Sequence, residues 1–313
     1  MRSSRFRTTG GEHRDPGLGM AEKLVRLPDG RTIRAVLAGT GPGRLVVFEA
    51  GMSAPAASWL HTQRQISAHA RTLSYDRAGY GGSDIDPQDR TVERMVEDLT
   101  DLLDTLGESQ PVVLVGHSWG GPILRYFADQ HPQRVAGLVF VDATLAEAMP
   151  GRTAAITVWS FRAMSVLARL GVTGLIKRLS LPHGFSGDIT EADQAIMLRD
   201  YASAQAMRAG VREGAQIQAA LSLMRRLQET GTPDVPTICL QAGRVDRGMT
   251  ALRPLLNRTA TELMARAARG KVVVVENSGH LIPQEYPDAV RDAILDVLAD
   301  AGGAPVRRSP DGR

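Results

Sequence analysis

The sequence predicts an α/β protein: a mostly parallel sheet covered by helices on both faces, with an inserted all-helical segment. Three observations lead to this fold class. Strand-like and helix-like segments alternate through the first half of the chain. Several predicted strands are continuous apolar runs, which are typical of strands buried on both faces of a sheet. Between residues 147 and 232 only helical patterns occur, and the alternation then resumes.

The first predicted elements are two short strands, at 23–27 and 32–37, joined by the turn residues Pro28-Asp29-Gly30. A helix is predicted over 92–106, because its apolar residues keep the 3.6-residue period and Gly107 ends it. Further helices are predicted at 121–129 and 287–298. The remaining strands are predicted at residues 45–49, 72–75, 112–115, 135–141, 237–241 and 272–276.

The domain organisation follows from these elements. An α/β core is expected over residues 22–146 and 233–302, with a helical cap over 147–232. The polar segments 1–21 and 303–313 are expected to be a disordered leader and tail, and Met20 is a possible alternative start. One apolar stripe in the cap is flanked by further apolar residues, which predicts a helix buried between two layers. The stripe consists of Ile156, Trp159, Ala163, Val166, Leu167 and Leu170.

Composition excludes several classes of protein. The chain has 313 residues, of which 43% are hydrophobic and 23% are charged, so it can bury a large core. Its net charge of +3 belongs to the two terminal segments, which argues against a nucleic-acid-binding face. Cys239 is the single cysteine, so an intramolecular disulfide and a cysteine-rich zinc site are excluded. We expect no membrane span and a cytoplasmic protein, because neither an 18-residue apolar run nor a secretory signal is present.

The motif that carries chemistry is Gly116-His117-Ser118-Trp119-Gly120, which fits G-x-S-x-G. It lies between a predicted buried strand and a predicted helix, the context in which such a serine stands on a sharp turn. The small residues Gly116 and Gly120 suit that turn, and the Trp119 amide would lie at a helix N-terminus that favours an anion. The pattern therefore predicts Ser118 as a nucleophile.

A serine nucleophile needs a base, and His280 is the histidine that follows a predicted strand at the same edge of the sheet. The base needs a carboxylate to orient it. Asp246 and Asp142 both follow predicted strands at that edge, and either satisfies the order Ser, Asp, His. We favour Asp246, because its glycine-containing loop could reach sideways, and keep Asp142 as the alternative.

Two backbone amides are candidates for an oxyanion hole. One is the Trp119 amide, and the other is the Met52 amide in the loop after the strand 45–49. The glycine-rich segment 76–84 fits neither G-x-G-x-x-G nor the Walker pattern, so we interpret it as a supporting loop and not as a phosphate site.

Together these residues resemble the α/β-hydrolase superfamily, in its serine-nucleophile members with a helical cap. The matching segments, in the family's order, are VVFEAGMSAPAASW (46–59), LSYDRAGYGGSD (73–84), VVLVGHSWGG (112–121), VAGLVFVDAT (135–144), CLQAGRVD (239–246) and VENSGHLIPQEYP (275–287). Two departures are notable. Ala50 stands where many members have histidine, and Ser118 stands where epoxide-opening and dehalogenating members have aspartate.

The resemblance implies a catalytic triad of Ser118, Asp246 and His280, backbone donors at Met52 and Trp119, and no metal or organic cofactor. The implied reaction is hydrolysis of a carboxylic ester, or a related acyl bond, of a small apolar molecule. Thioester hydrolysis, acyl transfer, amide or C–C cleavage, cofactor-free haloperoxidase chemistry and ligand binding without turnover are alternatives. The oligomeric state is left open. The candidate residues for the substrate pocket are Trp59, Phe161, Met164 and Phe185.

Overall fold

The computed structural model describes residues 13–15, 20–40, 43–145, 151–181 and 183–302. Within them, nine strands form one sheet in the order β1-β2-β3-β5-β4-β6-β7-β8-β9. The strands are β1 (His13–Asp15), β2 (Met20–Arg26), β3 (Thr32–Ala38), β4 (Leu45–Glu49), β5 (Arg71–Tyr75), β6 (Val112–His117), β7 (Val135–Val141), β8 (Thr237–Ala242) and β9 (Gly270–Val275).

The sheet is antiparallel at one edge and parallel elsewhere. Strands β1, β2 and β3 pair antiparallel with their neighbours, and the six strands from β5 to β9 in spatial order pair in parallel. In the β6–β7 pair, His117 lies opposite Val141. The next residues, Ser118 and Asp142, therefore leave the sheet side by side at its carboxyl edge.

Helices cover both faces of the sheet. Alternate residues of the central strands enter two separate apolar clusters, as the two-residue period of a strand requires. The covering helices are α1 (Leu60–Ser67), α2 (Val92–Thr105), α3 (Gly120–Gln130), α9 (Arg253–Arg266), α10 (Ile282–Glu285) and α11 (Pro287–Asp300). One cluster includes residues of α2, α3 and α9, and the other includes residues of α1, α10 and α11.

Between β7 and β8 the described residues form five helices, and we call this segment the insertion. They are α4 (Gly151–Arg169), α5 (Thr173–Ser180), α6 (Glu191–Tyr201), α7 (Ala204–Gly214) and α8 (Ile217–Thr230). The sequence predicts burial on more than one side of the first of them. That prediction is wrong for the outer side of α4, where Ile156, Trp159 and Val166 are exposed. No helix in the described part of the chain is both long enough and apolar enough to cross a bilayer.

The predicted fold class, a mostly parallel sheet with helices on both faces, is confirmed. One boundary needs correction: β1 pairs with the start of β2 inside segment 1–21, where the sequence predicts a disordered leader. Residues 1–12, 16–19 and the predicted tail 303–313 lie outside the described residues. The helices α1 and α9 are additions to the predicted elements. The apolar period predicted for 92–106 corresponds to α2, whose first turn is capped by the Thr91 hydroxyl accepting from the Arg94 amide.

Candidate active site

Ser118 lies on a strained turn between β6 and α3. Its φ is +52°, in the left-handed region that non-glycine residues seldom adopt. The turn needs a glycine two residues later, because a Cβ at Gly120 would lie 2.6 Å from the Glu49 carbonyl oxygen. The Gly121 amide closes the turn by donating to the Ser118 carbonyl at 3.0 Å. The side chain of Ser118 is partly exposed, toward a cavity above the sheet.

His280 lies beyond β9, and its imidazole is within hydrogen-bond distance of both Ser118 and Asp142. Its Nε2 is 2.9 Å from Ser118 Oγ, and its Nδ1 is 2.6 Å from Asp142 Oδ2. A carboxylate can only accept, so Nδ1 carries the proton and Nε2 is left as the acceptor for the serine hydroxyl. This is the arrangement in which an imidazole can take a proton from serine.

Asp142 is buried and held from two sides. Its carboxylate makes a bidentate ion pair with Arg253 at the start of α9, and its Oδ1 also accepts from the Ala242 amide at 3.1 Å. Burial alone would raise the pKa of Asp142, but the hydrogen bonds from His280 and Arg253 outweigh it and hold the pKa well below its usual range. The carboxylate therefore stays ionised beside the imidazole.

Asp246, the acid that the sequence analysis favours, does not lie at the imidazole. Its Oδ2 accepts from the backbone amide of His280 at 2.8 Å, and its Oδ1 faces Arg244 and His183. A Cβ at Gly279 would overlap the Asp246 carboxylate, which shows how closely the two loops pack. The structure places Asp142, and not Asp246, at the imidazole. The β6–β7 register brings Asp142 beside Ser118, while Asp246 holds the backbone of the histidine loop.

His117, the residue before Ser118, supports the loop that carries His280. Its Nε2 donates to the His280 carbonyl at 2.8 Å, and the two imidazole centroids are 4.8 Å apart. Burial, helped by the nearby His280, lowers the pKa of His117 to about 3. His117 is therefore neutral and fixes the backbone of His280 without competing for its proton.

The loop after β4 approaches the nucleophile closely. A Cβ at Gly51 would lie 3.2 Å from Ser118 Cβ, so a larger residue would push the loop away. The Gly51 carbonyl accepts from Arg77 Nη2 at 2.8 Å. The carbonyl and the following N–H of a trans peptide point in opposite directions, so this bond turns the Met52 N–H away from Arg77. Met52 and Trp119 both line the cavity beside Ser118.

Arg77 belongs to a buried polar cluster that joins the core to the insertion. It forms ion pairs with Glu49 at the end of β4, at 2.6 Å, and with Glu213 of α7, at 2.7 Å. Tyr75 donates to Glu49, and Tyr80 donates to Glu213 at 2.9 Å. Burial raises the pKa of Glu49, and the charge of Arg77 opposes that rise. The segment 76–84, which the sequence predicts to be a supporting loop, thus holds the loop of Met52 and contacts the insertion.

The cavity above Ser118 has a volume of about 220 Å³ and walls that are mostly apolar. Of the predicted pocket residues, Phe161 and Phe185 line it. Trp59 instead lies in the core, with its ring 5.2 Å from that of Phe48, and Met164 packs among the insertion helices. The wall residues that sequence reasoning missed include Leu181, Met197, Tyr201, Met249, Leu252, Leu256 and Leu281. They come from the insertion and from the segments after β8 and β9, so no local sequence signal unites them.

Among the described residues, no three or more His, Cys, Asp or Glu side chains are grouped so that they could hold a metal ion. The side chains around Ser118 are instead the imidazoles of His117 and His280, the Asp142 carboxylate paired with His280, some uncharged polar groups and many apolar groups. This set suits transfer of a proton and of an acyl group.

Comparison with known proteins bears on the fold and the family of this chain. The family model described as the alpha/beta hydrolase family matches residues 46–293, which is more than half of the chain. Over most of its length the chain is also similar to Epoxide hydrolase A of Mycobacterium tuberculosis, with 28% identity across 88% of this chain and 97% of that protein. Mouse Epoxide hydrolase 4 is 32% identical over 131 residues, 41% of this chain and 36% of that protein. The matched segments thus span well under two thirds of several curated relatives.

Solved structures with similar folds include Cfl2 from Burkholderia cenocepacia and a thermophilic esterase from Thermogutta terrifontis. The first has a TM-score of 0.74 and 22% identity, and the match covers 92% of this chain and 99% of that chain. The second has a TM-score of 0.66 and 22% identity, with 90% and 98% coverage. At these identities the likeness concerns the fold. The sheet presents Ser118, His280 and Asp142 at one edge, and the family model covers most of the chain. This chain therefore belongs to the alpha/beta hydrolase family.

Proposed function

We propose that this protein hydrolyses a carboxylic ester, or a closely related acyl bond, of a small and largely apolar substrate through an acyl-enzyme. The observation that supports this most is the continuous series of hydrogen bonds from Ser118 through His280 to Asp142, at 2.9 and 2.6 Å, at the floor of an apolar cavity. In this proposal Ser118 is the nucleophile, His280 is the base and Asp142 is the acid.

The reaction would proceed in two halves. Ser118 Oγ attacks the carbonyl carbon while its proton moves to His280 Nε2, and the oxyanion is bound by the Met52 and Trp119 amides. His280 then protonates the leaving alkoxide, which departs as the alcohol. Water attacks the acyl-enzyme, with its proton again taken by His280, and the carboxylic acid is released. Asp142 stabilises the imidazolium in both halves.

The size and polarity of the cavity support the substrate class. A volume of about 220 Å³ accommodates a small acyl or alkyl group, and side chains such as Phe161, Phe185 and Leu256 surround it. A charged group would lose hydration against walls that are mostly apolar. In the proposal the insertion acts as the cap, because its residues form one side of this cavity.

The names of several relatives raise epoxide hydrolysis as a competing reaction. Opening an epoxide on a carboxylate forms an ester that water can cleave. Opening it on a serine hydroxyl would form an ether, which the same machinery could not hydrolyse. Ser118 at the nucleophile position therefore favours acyl chemistry over epoxide chemistry.

Acyl transfer and thioester, amide or C–C cleavage use the same three side chains. A cavity that excludes water favours transfer to another acceptor. Turnover in the presence of added alcohols and thiols separates these reactions, because a transferase partitions the acyl group to the acceptor while a hydrolase yields the acid.

The direct test is labelling by a fluorophosphonate probe together with turnover of short p-nitrophenyl esters. The protein should be labelled and active, and Ser118→Ala should lose both while its thermal unfolding is unchanged. Ser109→Ala is the matched control, because this exposed serine precedes β6 and lies at the opposite end of that strand from Ser118. Ester turnover that survives in Ser118→Ala would refute the proposed nucleophile, and a folded protein with no labelling would favour a ligand-binding role.

A further inference from the structure

The outer side of the insertion carries an unusual concentration of exposed apolar side chains. Among the described residues eleven large apolar side chains are exposed, and six of them fall between residues 156 and 175. We call these six the insertion patch: Ile156, Trp159, Val166, Leu170, Val172 and Leu175. Their exposed fractions run from 41% to 71%. Clustering of this kind marks a contact surface, whereas single exposed apolar residues are ordinary.

Four of the six residues follow one line along α4 and the residue directly after it. At about 100° per residue, Ile156, Trp159, Val166 and Leu170 lie within an arc of about 80°. The opposite side of the helix is used for the interior, where Thr157 and Phe161 line the cavity. One helix therefore presents its inner side to the active-site cavity and an apolar outer side to the surroundings.

The charges in the segment that carries the patch have one sign. Residues 148–187 contain the five basic residues Arg152, Arg162, Arg169, Lys177 and Arg178, and no aspartate or glutamate. Arg162 and Arg169 are exposed, and their seven-residue spacing puts them in one row beside the apolar arc. An exposed apolar stripe that contains tryptophan and is flanked by arginines is the pattern of a helix lying in the interface of an anionic bilayer.

We propose that the insertion patch docks onto an anionic lipid surface, with α4 parallel to the membrane plane. The charges argue against the other occupants. A second copy of the chain would bring an equally basic patch against the first. The two terminal segments of this chain, residues 1–19 and 301–313, are also net positive. Docking in this way would place the helix that lines the cavity at the boundary where apolar substrates concentrate.

The protein contains its own reporter for this contact. It has three tryptophans, of which Trp59 and Trp119 are 1% and 0% exposed and Trp159 is 70% exposed. A change in tryptophan emission on adding vesicles therefore reports on Trp159. Flotation measures binding to vesicles independently of any enzymatic activity. We use neutral vesicles of phosphatidylcholine and mixed vesicles of phosphatidylcholine with the anionic lipid phosphatidylglycerol.

We expect binding to the mixed vesicles, with a blue shift of tryptophan emission, and much weaker binding to neutral vesicles. Arg162→Gln with Arg169→Gln should weaken partition by about 30-fold, and Val166→Gln with Leu170→Gln by about tenfold. The matched control is Leu24→Gln on β2, which is 66% exposed outside the patch and should bind normally. All variants should keep the thermal unfolding temperature of the parent protein.

Three results would overturn the proposal. The first is no binding to mixed vesicles, and the second is equal binding to neutral ones. The third is a concentration-dependent dimer that Val166→Gln with Leu170→Gln dissociates, which would assign the patch to a second copy. Because vesicle binding is measured without substrate, it stands or fails separately from the proposed ester hydrolysis.

Discussion

Replacing Asp142 with asparagine tests which carboxylate serves the imidazole of His280. Asp142 Oδ1 accepts from both Arg253 and the Ala242 amide. An asparagine must keep its single oxygen there, so its amide NH₂ takes the place of Oδ2 and faces His280 Nδ1 and Arg253 Nη2. The imidazole then accepts at Nδ1 and carries its proton on Nε2, where it can no longer take a proton from Ser118.

We expect this wrong tautomer to lower kcat by about 10⁴-fold on a short p-nitrophenyl ester. The matched variant is Asp246→Asn. An asparagine oxygen can still accept from the His280 amide there, so kcat should fall by less than about tenfold. Near-ultraviolet circular dichroism on both variants checks that the fold persists.

The reasoning would be refuted if Asp246→Asn lost more activity than Asp142→Asn, because the sequence-based assignment would then be right. A second measurement reads the tautomer directly. The downfield proton resonance of a carboxylate-bound imidazole should be present in the parent protein and in Asp246→Asn, and absent in Asp142→Asn. A signal that survives in Asp142→Asn would contradict the assigned hydrogen bond.

Two further predictions concern the buried charges. In Arg77→Lys the side chain cannot hold both Glu49 and the Gly51 carbonyl, so the Met52 amide loses its orientation. In steady-state kinetics kcat should fall by about 10²-fold while KM changes little. An unchanged kcat would show that the loop keeps its shape without Arg77. The pKa of Asp142 is held below its unfolded value of about 3.9. As the pH falls, the unfolded chain therefore binds this proton before the folded protein does. The stability that the ionised Asp142 contributes above about pH 4 is lost as the pH falls below that value. The free energy of unfolding, measured with urea, should fall more steeply with decreasing pH in the parent protein than in Asp142→Asn. Equal pH dependence in the two proteins would contradict the ionised pair.

The local pattern of the sequence was sufficient to predict most of the elements. Apolar runs between turn residues correspond to β4, β6, β7 and β8, and the apolar period corresponds to α2. These segments are predictable because burial on two faces, or on one helical stripe, dictates side-chain type residue by residue. The helices α1 and α9 lack such a clear period, so their assignment depends on packing.

The sequence by itself determined the fold class and the chemical types at the site, because a G-x-S-x-G turn and a strand-end histidine require particular residues at particular spacings. Only the tertiary structure decided that Asp142 faces the imidazole, that Arg77 joins the Met52 loop to Glu213, and that the outer side of α4 is exposed. Each of these depends on distances between segments far apart along the chain. Strand register and loop packing set such distances, and no local pattern of residues encodes them.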